Sequence, residues 1–238
     1  MLALASRFRV ITYDQRGGGQ SKYDNQGPVT WQTQVGDLAH VMNELALQRP
    51  MVVGYSWGGL LAMLYAIEQT RNPDLPAPSK LALISPAPIT KSWRTEFEST
   101  LAERQKSPVI AELRAELNAS GLRERDMAQF RQRAFELSVA GYFADPRNAE
   151  ALTPFRVTGK VQQSIWESLG DFDLRDELRA VRLPVLVVHG RNDPIPLHSA
   201  RAVADTLNGE LIVLDHCGHV PYVEQPEQLD AALFRFLS

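Results

Sequence analysis

Short runs of nearly unbroken apolar residues recur along the chain, at Arg9 to Asp14, Met51 to Tyr55, Lys80 to Ser85, Pro184 to His189 and Glu210 to Asp215. A strand with one face in water alternates apolar and polar residues, whereas a strand covered by helices on both faces stays apolar throughout. These runs therefore predict an inner parallel sheet, which needs a long crossover between consecutive strands. The intervening segments have the helical period. Thr30 reads as an N-cap, and Trp31, Val35, Leu38, Met42 and Leu45 follow at three- or four-residue steps along one buried stripe. Leu60, Leu61, Leu64 and Ile67 give an apolar face to a second helix, Trp57 to Gln69. Further helices are expected near His198 to Leu207 and Pro226 to Leu237. Alternation of this kind specifies an α/β architecture.

The rhythm breaks between Lys91 and about Gly170, where charged helical patterns occur and no convincing strand does. This stretch, residues 91–170, reads as a helical cap inserted into a core made of residues 1–90 and 171–238. Its acidic and basic residues are interspersed, as on a solvated helix face. Pro76 and Pro78 mark a loop before the third strand, and Asp145-Pro146 and Thr153-Pro154 punctuate the cap. A formal net charge of -3 gives no long-range attraction to nucleic acid or to an anionic membrane surface, so neither is an expected partner. No apolar run approaches the roughly 20 residues needed to cross a bilayer. The single cysteine, Cys217, cannot form an internal disulfide and fits a reducing, cytoplasmic setting.

The most specific chemical signal is Gly54-Tyr55-Ser56-Trp57-Gly58, which follows the apolar run Met51-Val52-Val53 and opens a helical pattern. A serine on a sharp strand-to-helix turn takes a strained backbone, and the glycines two residues either side are expected to let strand and helix approach. Such a hydroxyl is a weak nucleophile until a base accepts its proton. His219 suits that role, because it lies between the last strand and the final helix, at the carboxyl edge where open α/β sheets place ligand sites. His216, in the same loop, is the nearest rival, while His189 and His40 fit strand-end and helix positions. The base in turn needs an acid to hold its tautomer. Asp193 follows Val185-Leu186-Val187-Val188-His189-Gly190 by the short turn Arg191-Asn192. An Asx turn ahead of Pro194 is the alternative reading of this aspartate.

The run Arg9-Val10-Ile11-Thr12-Tyr13-Asp14-Gln15-Arg16-Gly17-Gly18-Gly19-Gln20-Ser21, the turn from Gly54 to Gly59, the run His189 to Pro194, and Gly218-His219 together resemble α/β-hydrolases. Within that family they are most similar to the proline iminopeptidase-like branch. The resemblance implies an α/β-hydrolase fold and a catalytic triad of Ser56, Asp193 and His219, with the backbone N–H of Trp57 as an oxyanion donor. It implies a short-peptide or small-molecule substrate, no cofactor and no metal, and a structural role for the segment around Asp14 and Arg16. The implied activity is removal of an N-terminal residue from peptides through an acyl-enzyme. A carboxylesterase for small esters, or an inactive binding protein of the same fold, is the alternative. Cap aromatics, among them Trp93, Tyr142, Phe143 and Trp166, are candidates for lining the pocket.

Measured against that family the chain reads as N-terminally truncated, with Met1 to Ala5 as the end of a helix. Three earlier strands and a His-Gly loop that supplies the second oxyanion donor have no counterpart. The missing third strand would lie between the runs ending at Asp14 and Tyr55. Three outcomes are then open: the first run slides beside the second, another copy of the chain covers the gap as a homo-oligomer, or the chain is a shortened product.

Overall fold

A computed structural model describes residues 3–21, 23, 27–152 and 158–238; the turn signal Thr153-Pro154 and the start of the helix expected at Met1 lie outside them. Their centre is a parallel sheet of β1 (Met51–Tyr55), β2 (Lys80–Ile84), β3 (Val185–Gly190) and β4 (Glu210–Leu214), in the spatial order β1-β2-β3-β4. Val53 pairs with Ala82, Ala82 with Leu186, and Leu186 with Glu210, so the four strands run side by side in one direction. Helices make every crossover: α2 (Trp57–Arg71) joins β1 to β2, and α9 (Leu197–Thr206) joins β3 to β4. The connection from β2 to β3 is the long helical segment, with α3 (Lys91–Arg104), α4 (Pro108–Ala119), α5 (Leu122–Arg125), α6 (Met127–Ser138), α7 (Gly159–Leu169) and α8 (Arg175–Leu178).

Alternate strand residues feed two apolar layers, as the period of two along a strand requires. Leu81, Leu83, Val185 and Val187 pack with α2, α9 and α1 (Trp31–Glu44). Ala82, Ile84, Leu186 and Val188 pack on the opposite face with Leu229, Ala232, Leu233 and Leu237 of α11 (Pro226–Leu237). All six residues of β3 are buried, which accounts for the unbroken apolar run there.

Thr30 caps α1 as the sequence implies: its hydroxyl accepts from the N–H of Thr33 at 3.2 Å, and the Thr33 side chain accepts from the N–H of Thr30. The stripe on α1 ends earlier than its period suggests, because Leu45 lies past the last helical turn and is exposed. α2 is also more deeply placed than one apolar face implies. Every residue from Gly59 to Ile67 is buried, so this helix is covered all round.

The run Arg9 to Asp14 does not join the sheet, and this corrects the reading in which it slides beside β1. Among the described residues β1 pairs with β2 alone. A strand exists only through ladder bonds to a neighbour, and none reaches this run. It instead leans on the molecule with alternate residues: Phe8 and Val10 touch the α11-side layer, while Arg9, Thr12 and Asp14 are exposed. β1 is correspondingly less covered than β3, with only Gly54 fully buried.

The glycines around Ser56 divide their work differently from the expected symmetry. A Cβ at Gly54 would overlap the backbone carbonyl of Gly58, and one at Gly59 would come within 2.9 Å of the Pro86 side chain, whereas one at Gly58 would meet nothing. Gly54→Ala is therefore expected to destabilise the fold by about 1–3 kcal/mol through overpacking. Gly58→Ala should melt at or above the wild-type temperature, since alanine is the better helix former. Thermal unfolding of the two variants checks this, and equal melting temperatures would refute the close strand–helix approach at Gly54.

Candidate active site

Because the sheet is parallel, β1, β3 and β4 all end on one edge, and the three segments that leave them meet there. Ser56 leaves β1 with φ +52° and ψ -117°, a conformation that L side chains rarely adopt. Its backbone is held from three sides. The N–H of Ser56 donates to the carbonyl of Ile84 at 2.9 Å, and the Ser56 carbonyl accepts from Gly59 and from Ala87, each at 3.0 Å. Trp57, the first residue of α2, has its N–H in the opening helical turn, where no intrahelical acceptor exists.

Asp193 leaves β3 on a turn stitched to the loop after β4: Arg191 N–H donates to Leu214, and Asn192 N–H to Cys217, both at 2.8 Å. The two segments touch backbone to backbone at Gly190, where a Cβ would overlap the carbonyls of Gly218 and Cys217. One carboxylate oxygen of Asp193 accepts from the N–H of Ile195 at 2.8 Å, so the Asx-type bond weighed as an alternative is present. The same carboxylate lies 3.0 Å from Nδ1 of His219, whose Nε2 is 2.9 Å from the Ser56 hydroxyl oxygen. The three side chains thus form one hydrogen-bonded chain, with His219 and Asp193 buried. His216 is exposed and outside it, and so is His40.

His189 stands closer to this chain than its strand-end position suggests. It is fully buried, its Nε2–H donates to the carbonyl of Ile195 at 3.0 Å, and its Nδ1 lies 3.8 Å from Asp193 without a hydrogen-bond partner. Burial alone would raise the pKa of the Asp193 carboxyl. His219, His189, the hydrogen bond from His219 and the N–H of Ile195 outweigh it and hold the group below its ordinary 3.8. Arg104, from α3, donates to the carbonyls of Asn192 and Asp193. Burial lowers its own pKa, against the opposing pull of Asp193 and Glu224.

Two aromatic rings approach the His219 imidazole, Tyr55 with centroids 5.2 Å apart and Tyr142 with centroids 5.0 Å apart. Burial, followed by the Asp193 and Glu98 charges, pushes the Tyr142 phenol up to about 12, so this ring is uncharged near neutrality. Burial, followed by the Glu224 and Asp193 charges, likewise pushes the Cys217 thiol up to about 12.

Ser56 opens on a cavity of about 730 Å³ whose walls include Trp57, Phe97, Leu101, Tyr142 and Trp166. Of the four aromatic candidates for its lining, Tyr142 and Trp166 are in the wall. Trp93 instead packs against the main core and Phe143 is buried in a separate cluster. The Trp57 ring stands edge-on to Trp166 at 5.1 Å, and its Nε1–H donates to Gln15 Oε1 at 3.1 Å. No spacing rule marks Gln15, although it sits between Asp14 and Arg16. Those two neighbours are structural: Asp14 accepts from the N–H of Gln20, and Arg16 pairs with Asp37 at 2.7 Å.

Asp193→Asn tests the electrostatics. A carboxyl whose pKa falls on folding contributes stability that is complete above its unfolded value, near 3.8, and is lost as pH falls through the lower folded value. The variant lacks this contribution, so its stability should fall less steeply than wild type below about pH 4. Denaturant titrations at several acidic pH values measure the slopes, and equal slopes would contradict a depressed Asp193.

A profile described as "Alpha/beta hydrolase family" matches residues 2–232. A protein of Caulobacter sp. strain K31, provisionally named carbamate hydrolase RutD, is 29% identical over 100% of this chain and 84% of its own length. A proline iminopeptidase of Lactobacillus helveticus is 25% identical over 99% of the chain and 82% of its own. Among solved structures, a hydrolase from Pseudomonas aeruginosa superposes with a TM-score of 0.66 at 22% identity, covering 100% of this chain and 82% of that one.

Proposed function

The chain belongs to the alpha/beta hydrolase family, and from that premise we propose that it is a serine hydrolase working through an acyl-enzyme. The observation that carries this reading is the continuous hydrogen-bonded chain from the Ser56 hydroxyl through His219 to Asp193. Ser56 attacks a substrate carbonyl carbon as His219 Nε2 takes its proton, and the tetrahedral oxyanion accepts a hydrogen bond from the N–H of Trp57. His219 then protonates the leaving group, the carbon–leaving-group bond breaks, and the acyl group stays on Ser56. Water, deprotonated by the same imidazole, then attacks the acyl carbon, the bond to the Ser56 oxygen breaks, and the imidazolium returns its proton to that oxygen as the acid leaves. Asp193 holds the imidazole tautomer and stabilises the imidazolium in both steps. None of these steps calls for a metal or an organic cofactor.

For the substrate, the reading is an amide or ester, with an N-terminal peptide residue as the acyl part. The likeness to a proline iminopeptidase supports the peptide, as does Glu167 in the cavity wall, a carboxylate able to meet an amino terminus, whereas Glu98 there is already paired with Arg94 at 2.7 Å. The helical segment over the cavity then acts as a cap. Apolar walls from Phe97, Leu101, Tyr142 and Phe172 favour the second reading, a carboxylesterase for small esters.

A fluorophosphonate probe, which needs an activated serine, is expected to place one adduct on Ser56. Ser56→Ala should abolish the adduct and lower turnover by several orders of magnitude. Faster turnover of a proline arylamide than of a short-chain p-nitrophenyl ester supports the peptidase, and the reverse supports the esterase. A well-folded sample that takes up no probe would overturn the hydrolase reading in favour of a binding protein.

A further inference from the structure

The loop that carries His219 has little in its own sequence to hold it still. His216 has φ +52°, Gly218 precedes the histidine, and only two short turns separate β4 from α11. Its anchors are one carbonyl of the helical segment and one carboxylate at the far end of the same connection. The N–H of His219 donates to the carbonyl of Tyr142 at 2.7 Å, and the N–H of Gly218 donates to Oε2 of Glu224 at 2.6 Å. Glu224 ends the turn α10 (Pro221–Glu224), five residues after the histidine. Its other oxygen accepts from the N–H of Ala144 at 2.8 Å, the N–H of Asp145 at 3.3 Å and Nδ2 of Asn148 at 3.3 Å. One carboxylate therefore ties the histidine loop to residues 144–148 of the helical segment. A Cβ at Gly218 would overlap the Tyr142 carbonyl, so the two backbones already touch.

We infer that Glu224 is a positioning residue, which clamps the His219 loop to the 142–148 segment and so keeps the imidazole aligned with Ser56 and Asp193. The clamp suits the chemistry of a carboxylate. Its two oxygens accept four hydrogen bonds from three backbone N–H groups and one amide, and a carboxylate bonds such donors more strongly than a neutral group does. The segment it grips also supplies the Tyr142 ring that faces the imidazole. Alignment of the base is thereby coupled to the position of the helical segment, and a shift of residues 142–148 would carry His219 with it. The catalytic side of this inference rests on His219 acting as the base.

The test compares wild type with Glu224→Gln, which keeps the size and one acceptor oxygen but turns an amide N–H₂ toward one of the N–H donors. Two readouts are needed: kcat and KM for a p-nitrophenyl ester, and the solvent-exchange rate of the His219 Nδ1 proton by NMR. Glu224→Gln is expected to lower kcat about 10- to 100-fold, the scale of a misplacement near 1 Å, with KM changed less than about twofold. The Nδ1 proton should exchange faster, because the loop opens more often. A folded variant with wild-type kcat and wild-type exchange would overturn the inference. So would a fall in melting temperature with kcat unchanged below it, since a merely structural residue behaves that way. If wild type shows a protected Nδ1 proton but no turnover and no fluorophosphonate adduct, the hydrolase reading fails while the exchange comparison still judges the clamp. Should Glu224→Gln not fold, Glu224→Asp keeps the charge, shortens the reach by one methylene and is judged on the same two readouts.

Discussion

The backbone of Ser56 sits in a region of conformational space that costs of order 1–3 kcal/mol to occupy, and much of the surrounding structure makes that conformation tolerable. Its N–H and carbonyl are bonded to β2, to the first turn of α2 and to Ala87. Gly54 allows the carbonyl of Gly58 to come against β1, and Gly59 allows Pro86 to close from the side. α2 is buried along nine consecutive residues, so it cannot swing away and relax the turn. The hydroxyl consequently stands clear of the sheet edge, within reach of an imidazole.

That edge is where the parallel arrangement concentrates chemistry. Strands running in one direction deliver Ser56, Asp193 and the His219 loop to the same side, and backbone bonds from Arg191 and Asn192 lock the second of these to the third. The buried carboxylate of Asp193 is then surrounded by groups that favour its ionised form, including His189 at 3.8 Å. With the Asp193 carboxylate 3.0 Å from Nδ1, Nε2 of His219 faces the serine hydroxyl at 2.9 Å.

The helical segment between β2 and β3 supplies much of the cavity wall and also bonds the segments that carry Asp193 and His219. Arg104 bonds the consecutive carbonyls of Asn192 and Asp193, Tyr142 offers a carbonyl to the His219 loop and a ring to its imidazole, and Glu224 closes the contact from the core side. The site is thus held between two parts of the fold.

Periodicity along the chain was enough to place β1 to β4, α2, α9 and α11 to within a residue or two, and the Thr30 cap, because these depend on local spacing and on burial of both sheet faces. The Gly-Tyr-Ser-Trp-Gly turn was legible for the same reason: its geometry is dictated by adjacent residues. The convergence of Ser56, Asp193 and His219 was expected from their places after strands, yet only the assembled sheet set their separations. Nothing local distinguished Arg9 to Asp14 from the other apolar runs, since a strand exists only if a neighbour accepts its hydrogen bonds. The same limit hid Gln15, His189, Arg104 and Glu224. Each acts through partners 6 to 89 residues away in the chain, or through several at once. Local sequence determined which segments are strands, helices and sharp turns; tertiary packing decided which polar groups, distant along the chain, came within hydrogen-bond distance.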